Sequence, residues 1–247
     1  MQKKINSEQQ NEEFQLTLSK LSHEIRNPLT LISSELQMMS ASHPEIISYR
    51  EWDNIMENMD YIRELLNRIS QYQSAERISP IKTDATTWFL NIIHTFRPAL
   101  DYLGISLETD IPESLPRLFL DQVKMRQAFL NLIQNAQESI QHSHGVIRFS
   151  VSAATDMICI TLSDNGCGMT SRQLQNIFQP FVTYKSGGTG LGLAVTRQII
   201  EAHHGTISVQ SVPGHGTSVR ITLPVSTEYS QYSSVQSSEA SARNLPG

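Results

Sequence analysis

A chain of 247 residues with 39% apolar and 17% charged residues has the make-up of one or two globular domains with a sizeable core. Its net charge of −5, with no basic cluster, argues against a nucleic-acid surface, and no apolar run nears the roughly 20 residues that cross a bilayer. The opening "MQKKINSEQQNEEF" lacks the apolar centre of a signal peptide, and the two cysteines, Cys159 and Cys167, have no zinc or redox spacing. A reducing, cytoplasmic setting with no membrane insertion is expected.

In chain order, residues 8–41 come first. Phe14, Leu18, Leu21, Ile25, Leu29, Ile32, Leu36 and Met39 recur in steps of three and four, which predicts one helix with one apolar stripe. "SASHP", residues 40–44, ends it. A second helix is expected from about Glu45 to Gln73, with Ile55, Met59, Ile62, Leu66 and Ile69 spaced as a heptad seam. Two such helices and a short loop make a hairpin, residues 8–77, and pairing with a second copy into a four-helix bundle would cover the stripe. Packing of both helices on the rest of the chain is the alternative.

From residue 78 the pattern mixes helix and strand up to residue 225. The sequence predicts a helix over Thr86–Leu103, a strand near Ile105–Glu108, and a helix from Asp121, its N-cap, to His142. Strands Val146–Ala153 and Met157–Ser163, a helix Leu191–His203, and strands Thr206–Gln210 and Ser218–Leu223 follow. The order is not a regular strand–helix alternation, so the fold class is α+β, with helices on one face of a mixed sheet. Residues 226–247, rich in Ser, Gln and Glu, read as a disordered tail.

Four places carry candidate chemistry. In "KLSHEIRNPLTLI", residues 20–32, His23 projects about 165° away from the stripe, toward solvent. Pro28 removes the helix hydrogen bond to the carbonyl of Glu24. A surface histidine of no consequence is the plain alternative, but a strained turn beside an exposed imidazole suggests a site. In "NLIQNAQE", residues 131–138, Phe129, Ile133, Ala136 and Ile140 make the buried stripe. Asn131, Asn135 and Glu138 share the other side, where amides suit phosphates or hydrated Mg²⁺.

In "ICITLSDNGCGM", residues 158–169, Asp164 keeps phase with Ile158, Ile160 and Leu162 and so points inward. An inward carboxylate needs a donor, and an adenine amine would serve. Gly166 and Gly168 allow a tight turn and close approach to a planar ring; a plain Asp-Asn-Gly turn is the alternative. Finally, "GGTGLGLAV", residues 187–195, opens into a helix whose N-terminus suits anionic phosphates. The loop before it, "FQPFVTYKSGG", residues 178–188, could close as a lid and bring Lys185 to the phosphates.

Taken together and in this order, these stretches resemble the sensor histidine kinases of two-component systems. Residues 20–28 are similar to that family's phosphoacceptor H box, 131–138 to its N box, 164–169 to its G1 box, 178–181 to its F box and 188–193 to its G2 box. The resemblance covers roughly residues 10–225. It implies a dimerisation and phosphotransfer hairpin followed by a Bergerat-type α/β sandwich that binds ATP. His23 would be the nucleophile, Glu24 its proton acceptor or orienting group, and Asn27, one turn from His23, the position that related kinases use to dephosphorylate their partners.

Asn131, Asn135, Asp164, Gly166, Gly168, Lys185, Gly188, Thr189, Gly190, Leu191, Gly192, Leu193 and Thr217 would line the nucleotide, with Asn135 on Mg²⁺. Relatives that hydrolyse ATP carry a glutamate where this chain has Asn131, and an amide is no base. The implied function is a homodimeric, ATP-dependent histidine kinase that phosphorylates itself and then a response regulator; the signal comes from a separate sensor or regulatory protein, or the chain is a fragment that lacks its sensor region. A degenerate ATP-responsive scaffold and a Bergerat ATPase are the alternatives.

Overall fold

The computed structural model describes residues 2–141, 143–185 and 187–225, with the side chains of 2–13 and 15 outside the description. The expected disordered tail and the helix end at His142 fall outside these residues. By contacts the chain divides into two compact units. One holds the chain up to Ala75 together with Gln179–Val195, and the other holds Glu76–Phe178 and the chain from Thr196 onward.

The first unit is built on a hairpin. Helix α1 runs Gln2–Ser42 with Pro28 inside it, about 60 Å at 1.5 Å per residue. Helix α2, Arg50–Ser74, starts later than the sequence reading placed it. Residues Pro44–Ser48 form a 3₁₀ turn with the proline in its first positions, because proline favours a helix start but the tight turn soon ends. Leu29, Met59 and Leu66 make the hairpin's buried cluster, with Leu36 and Ile62 packed against it. Polar ties flank it: the Arg26 guanidinium donates to Ser70 Oγ at 2.9 Å, and the Arg63 guanidinium donates to Ser33 Oγ.

The second unit starts with strand β1, Ile81–Thr83, and helix α3, Ala85–Tyr102. Strands β2, Ser106–Asp110, and β3, Leu118–Leu120, lead to helix α4, Gln122–Ser139. Strands β4, Val146–Ala153, and β5, Met157–Asp164, form a hairpin, and a short helix α5 spans Ser171–Asn176. Helix α6, Gly192–Ala202, and strands β6, Thr206–Val212, and β7, Gly216–Pro224, complete the chain order.

The main sheet runs β2-β4-β5-β7-β6, while β1 and β3 pair separately. Strand β2 lies parallel to β4, and the other neighbours are antiparallel. The alternation of the strands is what builds the core. Ile147, Phe149 and Val151, Ile158, Ile160 and Leu162, and Val219, Ile221 and Leu223 are buried, as period-two side chains on one face must be.

Phe89 of α3, Phe129 of α4 and Phe149 of β4 meet with ring centroids 5.8 to 5.9 Å apart. This aromatic contact fastens the helical layer to the sheet. Asp121 caps α4 as expected, its Oδ1 accepting from the amides of Val123 and Lys124. The α+β architecture of a helical N-terminal region and a mixed-sheet domain agrees with the sequence reading.

Candidate functional site

His23, Glu24, Asn27 and Pro28 are all exposed on α1, while Ser22 beside them is buried. The exposure of His23 agrees with the position away from the stripe that the helical period predicts. The helix continues through Pro28, which leaves the Glu24 carbonyl without the bond an N–H at position 28 would give.

In the second unit the centre is Asp164, the last residue of β5. Ile158, Ile160 and Leu162 bury their side chains, and Asp164, in phase with them, is half-buried where the strand meets the surface. Its Oδ1 accepts three hydrogen bonds: from Ser139 Oγ at 3.0 Å, from the Gly166 amide at 2.9 Å and from the Thr217 amide at 3.3 Å. Thr217 lies directly across the ladder from Asp164, and its hydroxyl meets Ser211 Oγ at 3.0 Å. Donors converging on one oxygen fix the orientation of the carboxylate.

The two glycines of this turn also face close neighbours within the protein itself. A Cβ on Gly166 would lie 2.0 Å from Ser139 Oγ. One on Gly168, at φ +65°, would lie 2.1 Å from the Val212 carbonyl oxygen. The space is taken by the protein itself, so both positions require glycine before any planar ring approaches.

Asn131 and Asn135 are half-buried on α4, and Glu138 is exposed. The Asn131 amide nitrogen donates to the hydroxyl of Thr196, a fully buried α6 residue, at 3.4 Å. The asparagine end of this face is therefore tied to α6, while Glu138 remains exposed. Sequence reasoning missed Ser139 and Thr196. Ser139 ends α4 one residue past the asparagine run, and its link to Asp164 spans 25 residues, a separation that periodicity does not report.

The glycine-rich stretch belongs to the first unit up to Val195. The Gly190 carbonyl accepts from the Phe181 amide at 3.1 Å. At φ +68°, a Cβ on Gly190 would sit 2.5 Å from the Phe181 carbonyl carbon. Gly188 donates its amide to the Lys185 carbonyl at 3.2 Å, the Thr189 hydroxyl accepts from Arg68 at 3.3 Å, and Lys185 is exposed. Leu191 is buried, and Gly192 and Leu193 open α6. Phe178, from the second unit, lies under the Arg197 guanidinium, 5.6 Å from carbon to ring centroid, a cation–π contact.

Asn135 fits a magnesium ion only as one ligand among several. Among the described residues no group of three His, Cys, Asp or Glu could hold a metal ion, so an ion there would draw most of its oxygens from phosphates and water. No helix among the described residues is long and apolar enough to cross a membrane.

An exposed histidine on a helical hairpin and a buried-edge aspartate with a glycine turn define a class, and comparison with known proteins agrees. Residues 15–78 match the family described as "His Kinase A (phospho-acceptor) domain". Residues 120–227 match "Histidine kinase-, DNA gyrase B-, and HSP90-like ATPase". The chain is 30% identical over 208 residues to sporulation kinase B of Bacillus subtilis (strain 168), covering 83% of this chain and 48% of that protein. It is 34% identical over 210 residues to the sensor histidine kinase ZraS of Salmonella typhimurium, covering 83% of this chain and 44% of that protein.

Among solved structures, full-length ShkA in complex with AMPPNP superposes with a TM-score of 0.69 at 22% identity, covering 84% of this chain and 45% of that one. The histidine kinase ThkA in complex with the response regulator TrrA superposes at 0.59 and 21% identity, covering 84% of this chain and 60% of that one. The chain belongs to the sensor histidine kinases of two-component systems, and it spans less than half the length of the two curated relatives named above.

Proposed function

We propose that the protein is an ATP-dependent histidine kinase whose His23 takes the γ-phosphoryl group of ATP and passes it to an aspartate of a response-regulator receiver domain. The observation that carries this reading is the exposed His23–Glu24 pair, on the matched phosphoacceptor segment of a chain that also carries the Asp164 site. The nucleophile is a neutral imidazole, whose unprotonated ring nitrogen carries the free lone pair. One ring nitrogen attacks phosphorus, the bond to the β,γ-bridging oxygen breaks, and ADP leaves. The ring must then shed its other N–H proton, and Glu24 is the adjacent carboxylate to receive it or to hold the productive tautomer. Asn27, one turn away, would stand at the position that related kinases use to dephosphorylate their partners.

Asp164 would accept from the adenine amine, the glycine-rich stretch from Gly188 to Leu193 would meet the phosphates with Lys185, and Thr217 would border the base. Asn135 would give its side-chain oxygen to magnesium, which when bound neutralises phosphate charge. Asn131, an amide held by Thr196, offers no base for hydrolysis, and this favours transfer to His23 over loss to water. The exposed apolar positions of α1 support a homodimer with a four-helix bundle, and ATP as substrate is in keeping with a cytoplasmic reaction.

Autophosphorylation with γ-³²P-ATP tests the reading. His23→Gln should bind ATP at the parental affinity and take up no acid-labile label; label on that variant would overturn the assignment of the acceptor.

A further inference from the structure

Ser139 is the last residue of α4, and its Oγ sits 2.7 Å from the Ala136 carbonyl oxygen and 3.0 Å from Asp164 Oδ1. A hydroxyl has one proton to give. The carboxylate is charged and the carbonyl is neutral, so the proton goes to Asp164, where the bond is charge-assisted. The same residue holds the turn from its main chain, because the Ser139 carbonyl accepts from the Cys167 amide at 2.9 Å. The fit between them is tight, since Gly166 has room for no side chain against Ser139 Oγ.

Among the donors to Oδ1, the Gly166 and Thr217 amides belong to the backbone, while Ser139 reaches it with a side chain. The backbone donors come from the two ends of the pocket's own turn and ladder. Ser139 comes from the helix that also carries Asn131 and Asn135. It thus couples the orientation of Asp164 to the helix assigned to the phosphates.

We propose that Ser139 is a positioning residue for nucleotide choice. By holding Oδ1 it fixes the plane of the Asp164 carboxylate, so that the carboxylate meets a purine bearing a 6-amino group. This rests on Asp164 as the adenine anchor. Substrate contact belongs to Asp164, and Ser139 acts through it.

The test compares ATP with purine ribonucleoside triphosphate, which carries hydrogen in place of the 6-amino group, by calorimetric titration of the full chain. Ser139→Ala should weaken ATP binding about tenfold and leave the 6-hydrogen analogue within about twofold. A purely structural role would weaken both nucleotides alike, and that result overturns the proposal. Ser139→Cys, nearly the same shape with a weaker donor, should fall between the parent and the alanine variant. If neither variant folds, as read by circular dichroism, Ser139 belongs to the fold and the proposal is wrong.

Asp164→Asn separates the two levels. It should abolish the preference for ATP over the analogue. If it does not, the adenine anchor itself is misassigned. If it does while Ser139→Ala keeps the parental preference, Asp164 stands and Ser139 falls.

Discussion

Helices α1 and α4 carry apolar stripes of the same period, and their fates differ. On α4, Phe129, Ile133 and Ala136 are buried. On α1, Leu29 is buried at 6% exposure, while Phe14, Leu21, Ile25, Ile32 and Met39 remain 42 to 48% exposed. Period alone therefore says that a face is apolar; it does not say what covers it. The second unit closes its core with its own strands. The stripe of α1 is apolar surface of the kind that marks an interaction face, and a second copy of the hairpin is the cover proposed here.

The sharpest way to break this comparison is to cut both stripes. Phe129 is fully buried among Trp88, Phe89 and Phe149, so Phe129→Ala should cost about 3–5 kcal/mol of stability in denaturant titration. That loss should not depend on protein concentration. Ile32→Asp combined with Met39→Asp should leave the unfolding of the second unit unchanged and dissociate the dimer in sedimentation, because two carboxylates would enter the seam. A parental chain that sediments as a monomer at micromolar concentration would remove the four-helix bundle from the reading. Autophosphorylation of an obligate monomer at the parental rate would remove its functional meaning.

The same contrast explains what could be read from sequence. Strand β4 has the predicted bounds, and β5 differs by one residue, because alternation over eight residues reports a half-buried strand without outside help. The inward phase of Asp164 was legible for the same reason. Strands β1 and β3, three residues each, are too short to show a period and owe their pairing to each other. Helix α5 has a readable start, since Thr170 and Gln173 form a capping box, but its six residues are too few to show a period. The partnerships of Ser139 with Asp164 and of Asn131 with Thr196 join residues far apart in sequence, and no local pattern encodes them.

A smaller effect should separate the units by pH. His203 is buried; its Nδ1 lies 2.7 Å from the Ile199 carbonyl, and its Nε2 accepts from the Asp121 amide at 2.9 Å. Donation from Nδ1 and acceptance at Nε2 require the neutral ring. Burial pushes its pKa below the ordinary histidine value, outweighing the Ile199 carbonyl and the Asp121 charge, which raise it; His204 nearby lowers it further. Below about pH 6.5 the unfolded chain binds a proton that the folded chain resists.

The stability contributed by the neutral ring is therefore complete above that pH. It declines as pH falls toward the lower folded value. Urea titrations at pH 7.5, 6.5 and 5.5 should show this decline in the second unit, and His203→Gln should flatten it. An unchanged slope in that variant would assign the pH dependence to other groups.

The smallest expected change compares two helix ends within the second unit. At the end of α3 the Gly104 amide donates to the Asp101 carbonyl, and the Ile105 amide donates to the Leu100 carbonyl. At the end of α6 the His204 amide donates to the Glu201 carbonyl, and the Gly205 amide donates to the Ile200 carbonyl. The spacings are identical, and both are Schellman ends with one residue in the left-handed region. Gly104 has φ +70°, and His204 has φ +58°.

A left-handed conformation costs a residue with a Cβ about 1–2 kcal/mol, and glycine gives back about 0.5–1 kcal/mol through the flexibility of the unfolded chain. His204→Gly should therefore stabilise the second unit by about 0.5–1 kcal/mol, and Gly104→His should destabilise it by a similar amount. A Cβ at position 104 meets nothing within 4 Å, so backbone strain is the cause tested there. Opposite signs of similar size in thermal unfolding would show that the two ends are interchangeable. Loss of stability in His204→Gly would mean that the histidine side chain contributes more than its backbone strain costs.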